Sequence, residues 1–207
     1  MTLGKTELLN AIAPLNRGLG NTPSDRAAAL AAVANLEDRN PTPRPTEAPE
    51  LLDGDWRLLY TTSRGILGID RPPLLRLGEV YQCIRTADAT LYNVAEVNPQ
   101  LGWLSGLVAV AARFEVVSTC RVRVRFERST LGLQNLLNYN APQSLITRYQ
   151  NADPLRAFNL RFNPDQQQGW LDITYLDADL RIGRGNEGSV FVLTRTPDLR
   201  QPTQGTI

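Results

Sequence analysis

From Cys120 to Glu127 the chain alternates without a break: Cys120, Val122, Val124 and Phe126 fall on one face, Arg121, Arg123, Arg125 and Glu127 on the other. A period of two marks a strand with one side buried and one side wet. The stretch before it agrees, because Val108, Val110, Ala112, Phe114 and Val116 also share a face, which predicts its strand partner. Trp56, Leu58 and Tyr60 alternate in the same way, and residues 78–86 and 90–97 flank a turn at Ala87-Asp88-Ala89. Further strands are expected over about 157–162, 169–175, 179–184 and 189–195. Helical patterns do not separate these strands, so a parallel sheet is disfavoured and an antiparallel barrel or sandwich is expected.

Ahead of the strands the period changes. Leu8, Leu9, Ile12 and Leu15 fall three and four residues apart, which predicts a short helix over about residues 3–17. In Asn21-Thr22-Pro23-Ser24-Asp25, Thr22 can cap a second helix, Pro23 suits its first position, and Asp25 suits the positive end of its dipole. Leu30, Val33 and Leu36 give that helix an apolar stripe to lay on the barrel. Pro41, Pro43, Pro45 and Pro49 then stiffen a stretch that can neither continue a helix nor join a ladder. The expected division is a helical extension (1–40), a proline-rich linker (41–49), a β-barrel domain (50–196) and a flexible tail (197–207). A chain of 207 residues can bury such a core without disulfide staples.

Two distant blocks read as the edges at which the barrel closes: Gly54-Asp55-Trp56-Arg57-Leu58-Leu59-Tyr60-Thr61-Thr62-Ser63, and Thr174 to Gly185, the latter followed by Ser189 to Arg195. An indole on the first strand and a guanidinium on a late one, Arg184 or Arg181, can stack and plug one end. A barrel plugged at one end is a cup, suited to an apolar small molecule. Over roughly residues 50–195 these blocks resemble the plastid lipid-associated protein family, the fibrillins, which extends into cyanobacteria. The resemblance implies a mainly β, lipocalin-like antiparallel barrel preceded by a short helical pair. It also implies a hydrophobic ligand (lipid, prenylquinone or carotenoid), work near photosynthetic membranes, and a role in photoprotection. It makes Asp179, Arg181 and Arg184 candidates to hold a polar head group, with Gly183 where a larger residue such as serine is expected. Trp56, Tyr60, Phe114 and Phe126 are the candidate apolar contacts.

Composition narrows the chemistry. The absence of histidine excludes histidine-based triads and most zinc or non-haem iron sites, and no metal or cofactor is expected. Cys83 and Cys120 lack metal spacing and are expected as free thiols. A net charge of +1 favours neither nucleic acid nor a strongly anionic surface. Lys5 is the single lysine among arginines, which fits either a GC-rich coding bias or a use for forked donors. The first residues show no secretory or transit character, and the longest apolar run, Leu107 to Ala112, is too short to span a bilayer. A cytoplasmic protein, peripheral at most on the thylakoid, is therefore expected, with oligomeric state left open.

Three loops are more apolar than solvated loops: Gly65–Leu75, Pro99–Gly106 and Leu131–Tyr139. Ile66, Leu67, Ile69, Trp103, Leu104, Leu136 and Leu137 are candidates to ring the mouth or dip into a membrane interface; alternatively they form a secondary cluster that closes the barrel. The Arg121, Arg123, Arg125 stripe reads as a solvated face or as a docking stripe. Asp177 and Asp179 could pair for acid–base work, but Asp favours turns and a turn is expected there. Gly183, Gly185 and Gly188 spell a phosphate-loop pattern with no helix behind it, so a hairpin turn explains them better. Non-catalytic carriage of a hydrophobic molecule leads. An interaction scaffold for an isoprenoid-pathway enzyme or photosystem component, and a lipocalin-like bilin lyase, are the alternatives.

Overall fold

The computed structural model describes residues 3–70, 75–99, 105–161 and 168–197. Its strands are β1 (Gly54–Thr61), β2 (Leu75–Arg85), β3 (Thr90–Pro99), β4 (Gly106–Val116), β5 (Arg121–Leu133), β6 (Phe158–Arg161), β7 (Gln168–Leu176), β8 (Leu180–Gly185) and β9 (Val190–Arg195). Every pairing between them is antiparallel. The order β4-β3-β2-β1-β9-β8-β7-β5, closed by β4 on β5, makes a ring of eight strands; β6 lies outside the ring as a short extension on β5. Eight strands enclose a space that side chains can fill or that can hold one small ligand.

Helices cover part of the outside. α1 (Leu3–Ile12) and α2 (Pro23–Glu37) lay Leu8, Ile12, Ala29, Val33 and Leu36 against Tyr60, Tyr175, Leu180, Ile182, Val190 and Val192. Each large apolar side chain buried there contributes roughly 1.5–3 kcal/mol. The expected cap of α2 is a full capping box, with Thr22 accepting from the Asp25 N–H and Asp25 accepting from the Thr22 N–H. The proline-rich segment is tied down at the closed end: the Asn40 side chain accepts from the Leu176 N–H at 3.1 Å, and the Thr42 hydroxyl donates to the Leu176 carbonyl at 2.7 Å. A short helix α3 (Pro49–Leu52) leads into β1, α4 (Arg64–Leu67) leaves it, and α5 (Pro142–Gln150) packs Leu145 and Ile146 over the outer face of β2–β4. α5 lies in a stretch for which the sequence predicted neither helix nor strand.

Two β-bulges set which side chains enter the barrel. Trp56 and Leu58 point inward, the register slips between Leu58 and Tyr60, and Tyr60 packs under α1 and α2 instead. The same slip between Ile173 and Tyr175 turns Tyr175 outward. One extra residue reverses the faces of everything beyond it.

At the closed end Lys5 reaches across from α1 and donates to Asp177 at 2.8 and 3.0 Å. Burial alone would push the Asp177 carboxyl up. Lys5, the N–H groups of Asp179 and Leu180 and the Tyr175 hydroxyl together outweigh it, holding the carboxyl below its ordinary range. A pKa lower in the folded than in the unfolded state gives stability that is present above about pH 4 and is lost as pH falls through the folded value. Urea midpoints measured from pH 6 downward should therefore fall less steeply below about pH 4 in Asp177→Asn than in the wild type. Parallel curves would contradict this.

Candidate ligand-binding site

The base of the barrel is built on Trp56, whose indole is fully buried (0 % exposed). Its Nε1–H donates to the Leu52 carbonyl at 3.0 Å, which fixes the ring against α3. Two guanidinium groups lie over the ring, Arg195 at 4.3 Å and Arg181 at 5.0 Å from its centroid. Arg195, the cross-strand neighbour of Trp56, also donates to the carbonyls of Leu51, Asp53 and Ala178. Gly54 explains the Gly-x-Trp pattern: its φ is +137°, and a Cβ there would come within 2.5 Å of the Arg195 guanidinium. A stacked guanidinium was expected from Arg184 or Arg181. The structure uses Arg181 and Arg195, while Arg184 points away from the interior and pairs with Glu37 of α2 at 2.6 Å.

Above this base the barrel is open. A cavity of about 660 Å³ runs from the level of Gln82, beside the plug, to the mouth, within the range that encloses a small organic molecule. Leu58, Val80, Val108, Val124, Phe126 and Leu193 are among the apolar side chains of its wall. Its few polar groups gather in two places. Ser63, Gln168, Asn186, Glu187 and Ser189 lie at the mouth, while Gln82 and Asn93 face each other deeper in, where Gln82 neighbours Trp56 across the strands.

Of the sequence-predicted contacts, Phe126 lines the cavity, whereas Phe114 packs on the interior core without reaching the cavity wall. Arg181 lies behind the wall at the plug. Tyr60 is corrected to the outer face by the β1 bulge, and Arg184 to the outer ion pair with Glu37. Asp179 is also removed from the interior: its side chain is 80 % exposed at the β7–β8 turn, near Lys5.

The strand order brings the β1–β2, β3–β4 and β5–β7 connections to one end, the mouth. Ile66 and Ile69 line the cavity there, and Leu67 is half-buried beside them. Leu136 is exposed. Leu137 cannot touch a membrane, because it is buried on the outer side of the barrel with Leu107 and Leu145. Trp103 and Leu104 lie outside the described residues, as does the chain beyond residue 197.

Sequence reasoning missed Gln82, Asn93 and Arg195, together with exposed Phe158 and Leu160 on β6. The signal for the amides was available: Gln82 interrupts the inward run Val80-x-x-x-Ile84, and Asn93 interrupts Leu91-x-x-x-Ala95. Phe158 pairs with Leu131, which pairs with cavity-lining Val108, so these side chains stand on one face and carry the cavity wall out past the mouth.

The PAP_fibrillin family profile matches residues 2–194. The chain belongs to the PAP/fibrillin family. It is 33% identical over 223 residues to probable plastid-lipid-associated protein 2, chloroplastic, of Arabidopsis thaliana, covering 92% of this chain and 70% of that one. To the light-induced protein, chloroplastic, of Solanum tuberosum it is 33% identical over 218 residues, covering 92% and 66%. To the chromoplast-specific carotenoid-associated protein of Cucumis sativus it is 31% identical over 217 residues, covering 92% and 67%. The chain thus spans about two thirds of the length of these relatives. No solved structure matches it.

In this fibrillin the outward arginines of β5 are matched by carboxylates. Arg121 holds Asp172 through two hydrogen bonds, at 2.6 and 2.7 Å, and stacks on Trp170 at 4.0 Å. Arg123 and Arg125 share Glu115 at 3.2 and 3.3 Å. The pairs on Glu115 are exposed and individually weak, the two-bonded Arg121–Asp172 pair is partly buried, and together they cancel much of the stripe's field. Cys83 and Cys120 are free; burial pushes the Cys83 thiol up, which disfavours its thiolate. Among the described residues, no helix is long and apolar enough to cross a membrane.

Proposed function

We propose that this fibrillin binds and carries a hydrophobic small molecule, a lipid, prenylquinone or carotenoid, inside the barrel, without catalysis and at or near a photosynthetic membrane. The observation that carries the reading is the apolar cavity of about 660 Å³ above a sealed base. A packed barrel would have no such space, and an apolar cavity open to solvent gains free energy by exchanging water for an apolar guest. The ligand class draws on the relatives, whose names describe them as lipid-associated and carotenoid-associated. Carriage rather than chemistry is favoured by the wall itself: Glu187, at the mouth, is the only carboxylate among its described residues, so no acid–base pair faces the interior. Membrane proximity is supported by exposed Leu131, Leu136, Phe158 and Leu160 on the β5–β7 connection and the strands beside it.

Protein purified from its native cell without detergent should release one dominant apolar compound, near one per chain, when its organic extract is examined by mass spectrometry. Extracts empty across several preparations would overturn the reading.

A further inference from the structure

We propose that the cavity floor selects an apolar molecule carrying one hydrogen-bond-accepting end, a carboxylate or carbonyl, and that the side-chain amide of Asn93 receives that end. This rests on the cavity being the binding site and adds the polarity and orientation of what enters it.

The argument starts from Arg181. Its side chain is 1 % exposed, its Nε has no partner, and no carboxylate lies within ion-pair distance among the described residues. Asp55 pairs through Oδ1 with Arg85, at 2.8 Å, and not with Arg181. Burial, and then repulsion from Arg195, lower the Arg181 pKa to about 9, so it is still a cation at neutral pH. A buried cation without a counter-charge leaves a positive field at the base.

That cation also fixes two amides. A guanidinium only donates, so the Gln82 atom bonded to Arg181 must be Oε1. The Gln82 Nε2 then faces Asn93 and donates to its Oδ1 at 2.9 Å. What remains on Asn93 is Nδ2, a donor with no partner among the described residues, on a side chain that lines the cavity. Guanidinium, Gln82 and Asn93 form a one-way relay in which each donor is polarised by the one behind it. Its last N–H is presented to a space whose other polar side chains lie at the mouth. An oxygen acceptor satisfies it, and the field favours a negative or partly negative end. A cationic end meets a donor and a positive field, and a pure hydrocarbon leaves the donor unpaired.

The experiment is displacement of Nile red by oleate, methyl oleate and 1-octadecene, in the wild type and in two variants. Asn93→Asp keeps an acceptor for Gln82 but removes the presented donor; Asn93→Leu removes both. In Asn93→Asp, displacement by oleate should weaken at least about tenfold and by methyl oleate less, with 1-octadecene unchanged. In Asn93→Leu, both oxygen-bearing ligands should weaken toward the hydrocarbon. Comparing oleate with its ester separates a carboxylate preference from a carbonyl one. If all three ligands bind and respond alike to either substitution, the selection proposal fails while carriage stands. If none of the ligands nor Nile red binds the wild type, carriage fails with it.

Discussion

Trp56→Ala is expected to lower the unfolding free energy by about 3–5 kcal/mol, a large part of what a domain this size has to lose. Three costs coincide. The indole is the largest fully buried side chain among the described residues, and its removal leaves a void at the point where β1, β9 and α3 meet. The Leu52 carbonyl loses its donor. Arg181 and Arg195 lose the aromatic face that partly offsets their desolvation, and for Arg181 no carboxylate lies within ion-pair distance among the described residues to replace it. Trp56→Phe keeps a ring and should cost less than half as much. Equilibrium urea unfolding measures both, and a loss under about 1 kcal/mol for the alanine variant would mean that the plug does not hold the barrel shut.

Val110→Trp is expected to abolish uptake of an apolar probe such as Nile red, by at least about a hundredfold, while changing stability by little more than 1 kcal/mol. Val110 lines the cavity on β4, level with Asn93 and Ser129 on the neighbouring strands. Enlarging a side chain in a packed core forces strain, but here the indole would extend into existing space and fill the room a guest needs. Wild-type affinity in a folded Val110→Trp protein would place the guest elsewhere.

The architecture was legible because strands declare themselves by their period. Cys120 to Glu127, four in–out repeats without interruption, fixes a face, and the turns at Ala87-Asp88-Ala89 and Gly185–Gly188 follow from their residue types. The phase of the closing strand was not legible. On β8, Leu180 and Ile182 are as apolar as any inward residue because α1 and α2 cover that face, so the outside of the barrel looks like an inside. Arg181 and Arg184 lie on opposite faces, and only tertiary packing says which enters. Tyr60 went astray for a related reason: a bulge is one extra residue, and nothing in Leu58-Leu59-Tyr60 marks where it falls. Leu137 read as an exposed rim residue because α5 is short and embedded in loop-like sequence; once that helix is placed, Leu137 has a lid. The amides at the floor were readable as breaks in an apolar period, yet the donor they present depends on Arg181, which is far from them in sequence.

Isotope-filtered NOE spectroscopy of the wild-type protein with carbon-13-labelled oleate tests the central claim most directly. The methyl groups of Val80, Val108, Val124 and Leu193 should show cross-peaks to the acyl chain, with the carboxyl end nearest Asn93. Cross-peaks confined to residues under α1 and α2, such as Val33, Ile182 and Val192, would contradict a guest held inside the barrel.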